Sequence, residues 1–372
     1  MGKTKAWWAA ALFVMGCGGG GGSSDDGGNT GLNFMDAPGA GDSPIIGDCP
    51  VFPANNIFNT QIGALPADPN SSAYVGTIGA KKIHLDLGQT IDSTSEEYYG
   101  IPYNTVNGNS IEWLTAKYAA VDTADYDWHP AEESECGDAS HNVQAPCTGN
   151  PILPIPDQPL VEGGVNTTPG QSPDGDHHML LVDNNSCRLW ELYHSYKTNG
   201  TWNIFGSAEW DLHSNTLRTA DWSSADAAGL PILPLLLKAS EANSGTIKHA
   251  LRFTISSSKI APMYVWPGRH QTDTSPNSAH PPMAQLFRLK ASYQIPANFS
   301  VQSKAILQAM KTYGMYLADG GSDWYISGEP SADWDDSIFD EVQSVTGDQF
   351  EAVDITAITS RSGFDPNSGA VP

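Results

Sequence analysis

The sequence has few basic residues. Its 372 residues include 18 Lys and Arg against 42 Asp and Glu, which gives a formal charge of −24 at pH 7. A surface with this charge repels nucleic acid and anionic membranes. We therefore expect no nucleic-acid partner. A strongly anionic polymer is also disfavoured as a ligand, unless the scarce arginines gather at one site.

Several catalytic and cofactor motifs are absent from the sequence. It has no CxxC pair and no HExxH motif, which argues against a zinc site built on either. It has no GxSxG turn for a serine nucleophile, and no Walker loop or GxGxxG loop for a nucleotide. No run of apolar residues is long enough for a transmembrane helix. We predict no cofactor, and a protein-bound metal stays open as an alternative.

The N-terminus resembles a bacterial lipoprotein signal peptide. Lys3 and Lys5 precede an apolar run that ends in the small-residue site "VMGC". We expect cleavage before Cys17 and lipidation of that cysteine; the alternative is an ordinary signal peptide with a chance cysteine. Loss of the two lysines would change the charge from −24 to −26. The protein is expected to be exported and held by lipid, facing the periplasm or the cell surface, with the bacterial outer membrane favoured.

Composition divides the chain into four parts. Residues 1–16 form the expected signal peptide, and residues 17–45 form the lipidated cysteine with a Gly-, Ser- and Asp-rich tether. Residues 46–360 have a globular composition without an internal repeat or a second linker, so we predict one domain there. Residues 361–372 are expected to be a disordered tail.

Short apolar or alternating runs between Gly, Pro, Asn and Asp clusters predict a mainly β domain. The clearest runs are "KKIHLDL", "HMLLVD", "CRLWELYHSY", "HALRFTI" and "PMYVWP". Pro231 and Pro234 predict two short helical pieces. Ser300 can cap a longer helix that runs towards Gly320, and "DDSIFDEVQSVTG" predicts another. The predicted fold is a single large β-sandwich or barrel-like domain with a few helices towards the C-terminus.

Four cysteines remain after the expected cleavage, and an even number in an exported chain favours disulfides. Three pairings are possible. We favour Cys136–Cys147, which closes a short polar loop, and Cys49–Cys187, which ties the start of the domain to a central strand.

Histidines lie at the edges of several predicted strands, where side chains from distant segments can meet in a cleft. Imidazole suits both acid–base chemistry and metal binding. The alternative is that each histidine satisfies backbone groups near it. The histidines at these positions are His178, His194, His213, His249 and His270.

The segment "DGDHH" carries the strongest single candidate. Asp176 and His178 are two residues apart, so on a strand their side chains share one face. Asp176 can then orient the His178 imidazole, or the two can share a metal with Glu191. The candidate carboxylates are those beside aromatic or glycine residues: Glu162, Asp176, Glu191, Asp319 and Asp323. Trp190 and Tyr193 would raise the pKa of Glu191 if it is buried; the alternative is that Glu191 points to solvent.

The arginines and tryptophans supply candidate binding groups. A guanidinium can clamp a carboxylate or neutralise developing charge, although buried arginine–carboxylate pairs are an equal alternative. The arginines beside histidine or aromatic residues are Arg218, Arg252, Arg269 and Arg288. Flat aromatic faces suit sugar rings, although core packing explains many of them. The tryptophans beside polar turns are Trp128, Trp222, Trp324 and Trp334.

Several blocks resemble a family of exported bacterial and fungal proteins of unassigned activity, which are sometimes joined to carbohydrate-binding modules. These blocks, within residues 49–354, are "CPVFPANNIFNT", "GDHHMLLVDNNSCRLWELY", "ADAAGLPILP", "HALRFT", "WPGRH", "PPMAQLFRLKASY" and "KTYGMYLADGGSDWYISG". The resemblance carries no mechanism to this chain. His177 stands where relatives carry arginine, and the "ECGDASHNVQAPC" loop is longer, so His178 is favoured over His177.

These features lead to one leading hypothesis and two alternatives. The leading hypothesis is a surface lipoprotein that degrades a polysaccharide as a glycoside hydrolase or a lyase. The catalytic residues would be His178, Asp176 and Glu191, and the substrate-binding residues would be Arg218, Arg252, Arg269, His213, His270 and Trp324. The first alternative is a glycan-binding or adhesion lipoprotein without activity, and the second is a metal-dependent hydrolase.

Overall fold

The computed structural model describes residues 43–95, 98–118, 130–165, 176–272 and 274–372. The expected signal peptide, Cys17, most of the tether and Trp128 lie outside these residues. The described residues belong to one compact unit. No helix among them is long and apolar enough to cross a membrane.

Short strands dominate the described chain, as the turn-rich sequence predicts. They are β1 (Ile45–Ile46), β2 (Cys49–Pro50), β3 (His84–Asp86), β4 (Tyr103–Val106), β5 (Leu114–Thr115), β6 (Lys117–Tyr118), β7 (Cys136–Gly137), β8 (Val143–Gln144), β9 (Ile152–Leu153), β10 (Met179–Asp183), β11 (Arg188–Tyr193), β12 (Tyr196–Thr198), β13 (Thr201–Ile204), β14 (Gly206–Asp211), β15 (Leu251–Ile255), β16 (Ala261–Tyr264), β17 (Pro282–Met283), β18 (Leu286–Leu289), β19 (Met315–Gly320), β20 (Tyr325–Ser327) and β21 (Phe350–Ala352). The mainly β prediction is confirmed.

The α-helices are short and mostly follow β15 in the chain. They are α1 (Ser71–Ile78), α2 (Ala239–Asn243), α3 (Val301–Thr312), α4 (Ser337–Glu341) and α5 (Thr356–Thr359). Single 3-10 turns are Ile57–Asn59, Pro130–Glu133, Leu233–Leu235, Ser257–Lys259, Val342–Ser344 and Gly347–Gln349. The prolines of "GLPILP" give the predicted two pieces, the 3-10 turn at 233–235 and then α2. Helix α1 is not among the predicted helices.

Helix α3 begins where the sequence predicts and ends earlier. The Ser300 side chain accepts a hydrogen bond from Ser303 N, which caps the first turn. Gly314 then takes the left-handed conformation with φ +78°. A Cβ at this glycine would lie 2.5 Å from Phe287 O, so the turn requires glycine. The chain continues as β19, and the prediction of a helix running towards Gly320 was wrong.

Two sheets form the frame of the domain. The first has four strands in the order β14-β11-β10-β4, and the second has six in the order β21-β18-β19-β15-β20-β3. Smaller sheets flank them, in the orders β1-β2, β12-β13-β6, β16-β17 and β5-β9-β7-β8. The arrangement is sandwich-like, and no sheet closes into a barrel in the chain as described.

The four-stranded sheet is covered on both faces, which explains the continuous apolar run of β10. Leu180 and Val182 enter the main core, whereas Met179 and Leu181 enter a second core with Trp190. Side chains alternate along a strand, so His178 shares the face of Leu180. By the same alternation, Glu191 in β11 points away from Trp190, towards the main core.

The part of the six-stranded sheet formed by β15, β20 and β3 has one apolar face and one polar face, whereas β19 is apolar on both faces from Met315 to Ala318. Phe253, Ile326 and Leu85 occupy matching positions in the main core. Their alternate neighbours lie on the opposite face: Arg252, Thr254, Tyr325, Ser327, His84 and Asp86. A bulge between Phe253 and Thr254 places Asp319 beside Thr254, which brings its carboxyl group to this polar face.

The segment 225–237 connects the two large sheets. Its Ala228 N donates to Ala318 O at 2.9 Å in the six-stranded sheet, and Leu237 N donates to Ser327 O at 3.2 Å. Ile232 N donates to the Glu191 carboxylate of the four-stranded sheet at 2.9 Å. This segment therefore carries hydrogen bonds from one sheet to the other.

Two disulfides are present, with the pairing that the sequence favours. Cys49–Cys187 joins the start of the domain to the turn between β10 and β11, and Cys136–Cys147 closes the polar loop. Disulfides persist in oxidising compartments, so they indicate a protein that folds outside the cytoplasm.

The expected disordered tail is instead packed against the domain. Leu217 N donates to Asn367 O at 3.0 Å, and Ile57 N donates to Gly369 O at 2.8 Å. Trp266 Nε1 donates to Ser368 O at 3.0 Å. Backbone hydrogen bonding fixes this polar segment, and composition alone does not reveal such partners.

Removing Cys49–Cys187 is expected to destabilise the domain more than removing Cys136–Cys147. The first bond spans 138 residues and the second spans 11, so the first restricts the unfolded chain more. The entropy of the unfolded chain predicts that the two losses in free energy of unfolding differ by about 2 kcal/mol. Urea unfolding of the Cys49→Ala/Cys187→Ala and Cys136→Ala/Cys147→Ala variants measures it. Equal losses would show that strain or residual unfolded structure dominates.

Candidate functional site

Four side chains from separate parts of the fold bind three consecutive residues, Ala225 to Ala227. His178 Nε2 lies 3.0 Å from Ala225 O, and Arg252 forms a two-pronged ion pair with Asp226. Asp319 Oδ2 accepts from Ala227 N at 3.1 Å, and His270 Nδ1 donates to Ala227 O at 2.9 Å. We call these groups, with the adjacent Glu162 and Asp176, the central polar cluster.

The Arg252–Asp226 pair lies at the buried base of this cluster. Arg252 is 4% exposed and Asp226 is fully buried. Arg252 Nε donates to Asp226 Oδ2 at 2.9 Å, Nη2 donates to Oδ1, and Nη1 contacts Ser327 Oγ. Two nitrogens of the planar guanidinium thus bind the two oxygens of one carboxylate, which is the strong bidentate geometry. Arg252 is therefore committed to Asp226 and does not present a free charge to a ligand.

His178 is held as a cation by Glu162. Its Nδ1 lies 2.7 Å from Glu162 Oε2, and its Nε2 faces a carbonyl, so both ring nitrogens meet acceptors. Burial alone would lower the pKa of His178, but the Glu162 carboxylate outweighs it and raises the pKa to about 10. An imidazolium with both protons bound is a positioning group rather than a proton shuttle. The prediction that Asp176 orients His178 is corrected, because Glu162 makes that contact.

Glu191 is sealed inside the protein. Its side chain is 0% exposed, and its carboxylate accepts from Ile232 N at 2.9 Å and Leu233 N at 2.8 Å. Burial raises the pKa of Glu191 to about 7, against the effect of these two hydrogen bonds. The anticipated apolar surroundings and raised pKa are present, yet the group cannot reach a polymer. The catalytic role predicted for Glu191 is therefore corrected to fixing the 232–233 turn.

Within the central polar cluster, Asp319 is the carboxyl group that combines a raised pKa with partial exposure to solvent. Its side chain is partly exposed, and its two oxygens accept from Ala227 N at 3.1 Å and Gly320 N at 2.6 Å. Burial raises the pKa of Asp319 to about 7, and the negative charges of Asp226 and Asp176 add to the shift. The raised pKa favours the protonated form of Asp319, which a general acid requires.

The rim of the cluster carries Asp176 and His270. Asp176 is exposed and accepts a hydrogen bond from Tyr193 Oη at 3.3 Å. His270 is partly exposed, and the Nδ1–H···O bond to Ala227 leaves Nε2 as its acceptor nitrogen. Among the described residues, none bonds to that Nε2. His177 is buried and stacks on Tyr196 with ring centroids 4.1 Å apart, away from these rim groups.

Arg218 belongs to a different part of the domain. Its Nη1 contacts Glu135, and its Nε donates to Ser223 O at 2.9 Å. The guanidinium also lies 5.5 Å from the Trp210 ring and 5.8 Å from the Trp222 ring. It is a buried, paired arginine, so the substrate-binding prediction for Arg218 is corrected.

Three other predicted binding residues also lie outside the cluster. Trp324 is fully buried between Phe253 and Phe350, with ring centroids 5.4 and 5.3 Å away. Arg269 donates to Pro366 O at 2.8 Å and so holds the C-terminal segment. His213 is exposed beside Asp211 at the end of β14. Of the predicted binding residues, the cluster contains Arg252 and His270.

The sequence analysis missed Asp226, the residue at the middle of the cluster. Asp226 follows a serine-rich turn and has no aromatic neighbour, so no local pattern distinguishes it from a surface aspartate. The one indirect signal is its position six residues before the apolar run "ILPLLL", which had to be buried.

No group of three or more His, Cys, Asp or Glu residues in the described ranges is arranged to hold a metal ion. No protein-family model matches the chain, and no curated protein or solved structure does either. The chemistry must therefore be inferred from the cluster itself.

Replacing Glu191 with alanine is expected to destabilise the domain by about 2–5 kcal/mol. The change leaves Ile232 N and Leu233 N without their buried acceptor. Urea unfolding measures the loss, and Glu112→Ala is the control because Glu112 is exposed. A loss within experimental error of the control would contradict the role of Glu191.

The His178–Glu162 pair is expected to make stability depend on alkaline pH. The pKa of His178 rises from 6.5 to about 10, so the pair contributes fully below pH 6.5 and is lost as the pH rises through about 10. Urea unfolding between these pH values should show the fall, and Glu162→Gln should reduce it. Glu112→Gln should leave the slope unchanged, and parallel slopes for wild type and Glu162→Gln would refute this account.

Proposed function

We propose that the protein is an exported glycoside hydrolase with Asp319 as its general acid. One observation carries this proposal: Asp319 is partly exposed, has a raised pKa, and lies beside a buried cluster of fixed charges. Glycoside hydrolysis needs a carboxylic acid to protonate the leaving oxygen and a second carboxylate near the sugar ring. Asp319 suits the first role.

Asp176 is the best candidate for the second carboxylate. It is exposed at the rim, and its charge acts on Asp319, so the two groups are close enough to interact. Tyr193 Oη donates to Asp176 and helps to fix it. His270 would bind a substrate hydroxyl through its Nε2. His178 and Arg252 position the cluster and do not touch the substrate.

Hydrolysis is favoured over β-elimination because of the arginines. A lyase needs a cation that neutralises the uronate carboxylate beside the proton that is removed. Arg252 is paired with Asp226, and Arg218 is paired with Glu135. The cluster also carries more carboxylates than cations, so the sugar at its centre is expected to be uncharged.

The same proposal includes export and anchoring. The "VMGC" site, the tether and the disulfides support a lipid-anchored protein that meets its glycan outside the cytoplasm. The resemblance to exported proteins that are sometimes joined to carbohydrate-binding modules points in the same direction.

Asp319→Asn is expected to lower kcat by about 10²- to 10⁴-fold on the responsive glycan, because it removes the acid. Wild-type kcat/KM should fall above about pH 7, where Asp319 loses its proton. The assay measures reducing ends released from a panel of polysaccharides, with ultraviolet absorbance as the test for elimination. Asp157→Asn is the matched control, since Asp157 is exposed.

Three results would count against this assignment. An unsaturated product would establish a lyase, and glycan binding without any product would establish a binding protein. Full activity in Asp319→Asn with an unchanged pH profile would assign the acid to another group.

A further inference from the structure

A second polar site lies on the same face of the six-stranded sheet. A cavity of about 790 Å³ opens beside β3 and β20, and its volume is large enough for a small ligand. Lys81, Lys82 and Lys259 line it, together with His84 and Asp323. We call it the lysine cavity. Lysines are scarce in this acidic chain, so three at one cavity are a marked local concentration.

The lysine cavity keeps positive charge that its own carboxylates do not fully cancel. Asp323 Oδ2 accepts from Lys259 Nζ at 2.6 Å and from Lys81 Nζ at 2.7 Å, so two cations share one carboxylate. Burial opposes ionisation of Asp323, but the two lysines outweigh it and lower its pKa. Lys82 is exposed, and no described residue forms an ion pair with it. Asp340 offsets one further charge, which leaves the cavity cationic.

The cavity also has an aromatic surface. The Tyr325 ring lies against the His84 ring, with centroids 4.2 Å apart, and Phe339 lines the opening. Tyr325 and His84 are each partly exposed. A sugar ring presents an apolar face to such aromatic groups and polar groups at its edge. Cationic side chains beside an aromatic surface therefore fit a sugar that carries an acidic group.

The strands connect the lysine cavity to the central polar cluster. On β3, His84 lines the cavity, and Asp86 lies two residues further along the same face. On β20, Tyr325 lines the cavity, and Ser327 contacts Arg252 of the cluster. Across the sheet, Thr254 pairs with both Tyr325 and Asp319, so the cavity and the proposed acid are two strand spacings apart, about 10 Å. A short oligosaccharide can span this distance, so one chain can occupy both sites.

We propose that the lysine cavity is a subsite for an acidic sugar, one that carries a carboxylate or a sulfate on the glycan that the cluster cleaves. This inference rests on the proposed function, which it extends by naming the substrate class. The acidic cluster takes an uncharged sugar, and the cationic cavity takes an acidic sugar one or two rings away. The substrate is then a glycan with spaced acidic residues, not a uniform polyanion.

Calorimetric titration of the full mature chain tests the subsite. The probes are matched pairs: glucuronate with glucose, galacturonate with galactose, and a xylotriose bearing one glucuronate with xylotetraose. The acidic member of at least one pair should bind more tightly than its neutral partner. Lys82→Gln should weaken that binding about tenfold, as expected for the loss of a hydrogen bond to a charged group. Lys82→Arg should restore most of it.

Lys117→Gln is the matched control. Lys117 is exposed on β6, and its substitution removes the same single positive charge. An equal loss of affinity in Lys117→Gln and Lys82→Gln would show that the effect comes from the net charge of the protein, and would overturn the subsite. Equal affinity within every acidic and neutral pair would also overturn it. Displacement by inorganic sulfate at the same concentration as the acidic sugar would show that the cavity binds any small anion and not a sugar.

Failure of the subsite and failure of the hydrolase give different results. Titrations with Asp319→Asn keep the lysine cavity intact, so acidic sugars should still bind when turnover is abolished. Binding that depends on Lys82, without turnover in the wild type, would keep the subsite and reject the hydrolase. Turnover of a glycan that bears acidic sugars, if its KM is insensitive to Lys82→Gln, would keep the hydrolase and reject the subsite.

Discussion

The arrangement of the site depends on the buried ion pair between Arg252 and Asp226. Removing two charges from water is costly, and good geometry with added hydrogen bonds is needed to offset that cost. The pair has both, since the guanidinium binds the carboxylate twice and also contacts Ser327. It fixes the position of Asp226, and with it the carbonyls of Ala225 and Ala227 that the two histidines bind.

The surroundings of this pair explain why the pKa of Asp319 is raised. Arg252 offsets Asp226, and the His178 imidazolium offsets Glu162, so each buried cation is matched to one carboxylate. Burial raises the pKa of Asp319, and the charges of Asp226 and Asp176 outweigh the opposing effect of Arg252. A carboxyl group in that position holds its proton to a higher pH. The raised pKa of Asp319 thus follows from its burial and from the charges of its neighbours.

The sequence predicted the local features of this protein well and the long-range ones poorly. The alternation and the turn residues predicted the strands, and Cys49–Cys187 followed from position in the chain. Of the predicted residues, His178 and Arg252 reach the cluster from the edge of β10 and the face of β15, and His270 reaches it from the loop after β16. Trp324 and Arg218 were misjudged because burial by distant segments decides their role. Asp226 was missed because only the packing of 225–237 between two sheets makes it central.

The contact between the two ends of the domain affects how the chain can fold. Gly369 O accepts from Ile57 N, and Val371 N donates to Asn55 O, so the segment near residue 56 obtains partners from the final residues. Synthesis proceeds from the N-terminus, and these bonds cannot form until the whole domain has left the ribosome. The segment near residue 56 therefore completes its backbone hydrogen bonds only after residues 369–371 have been synthesised.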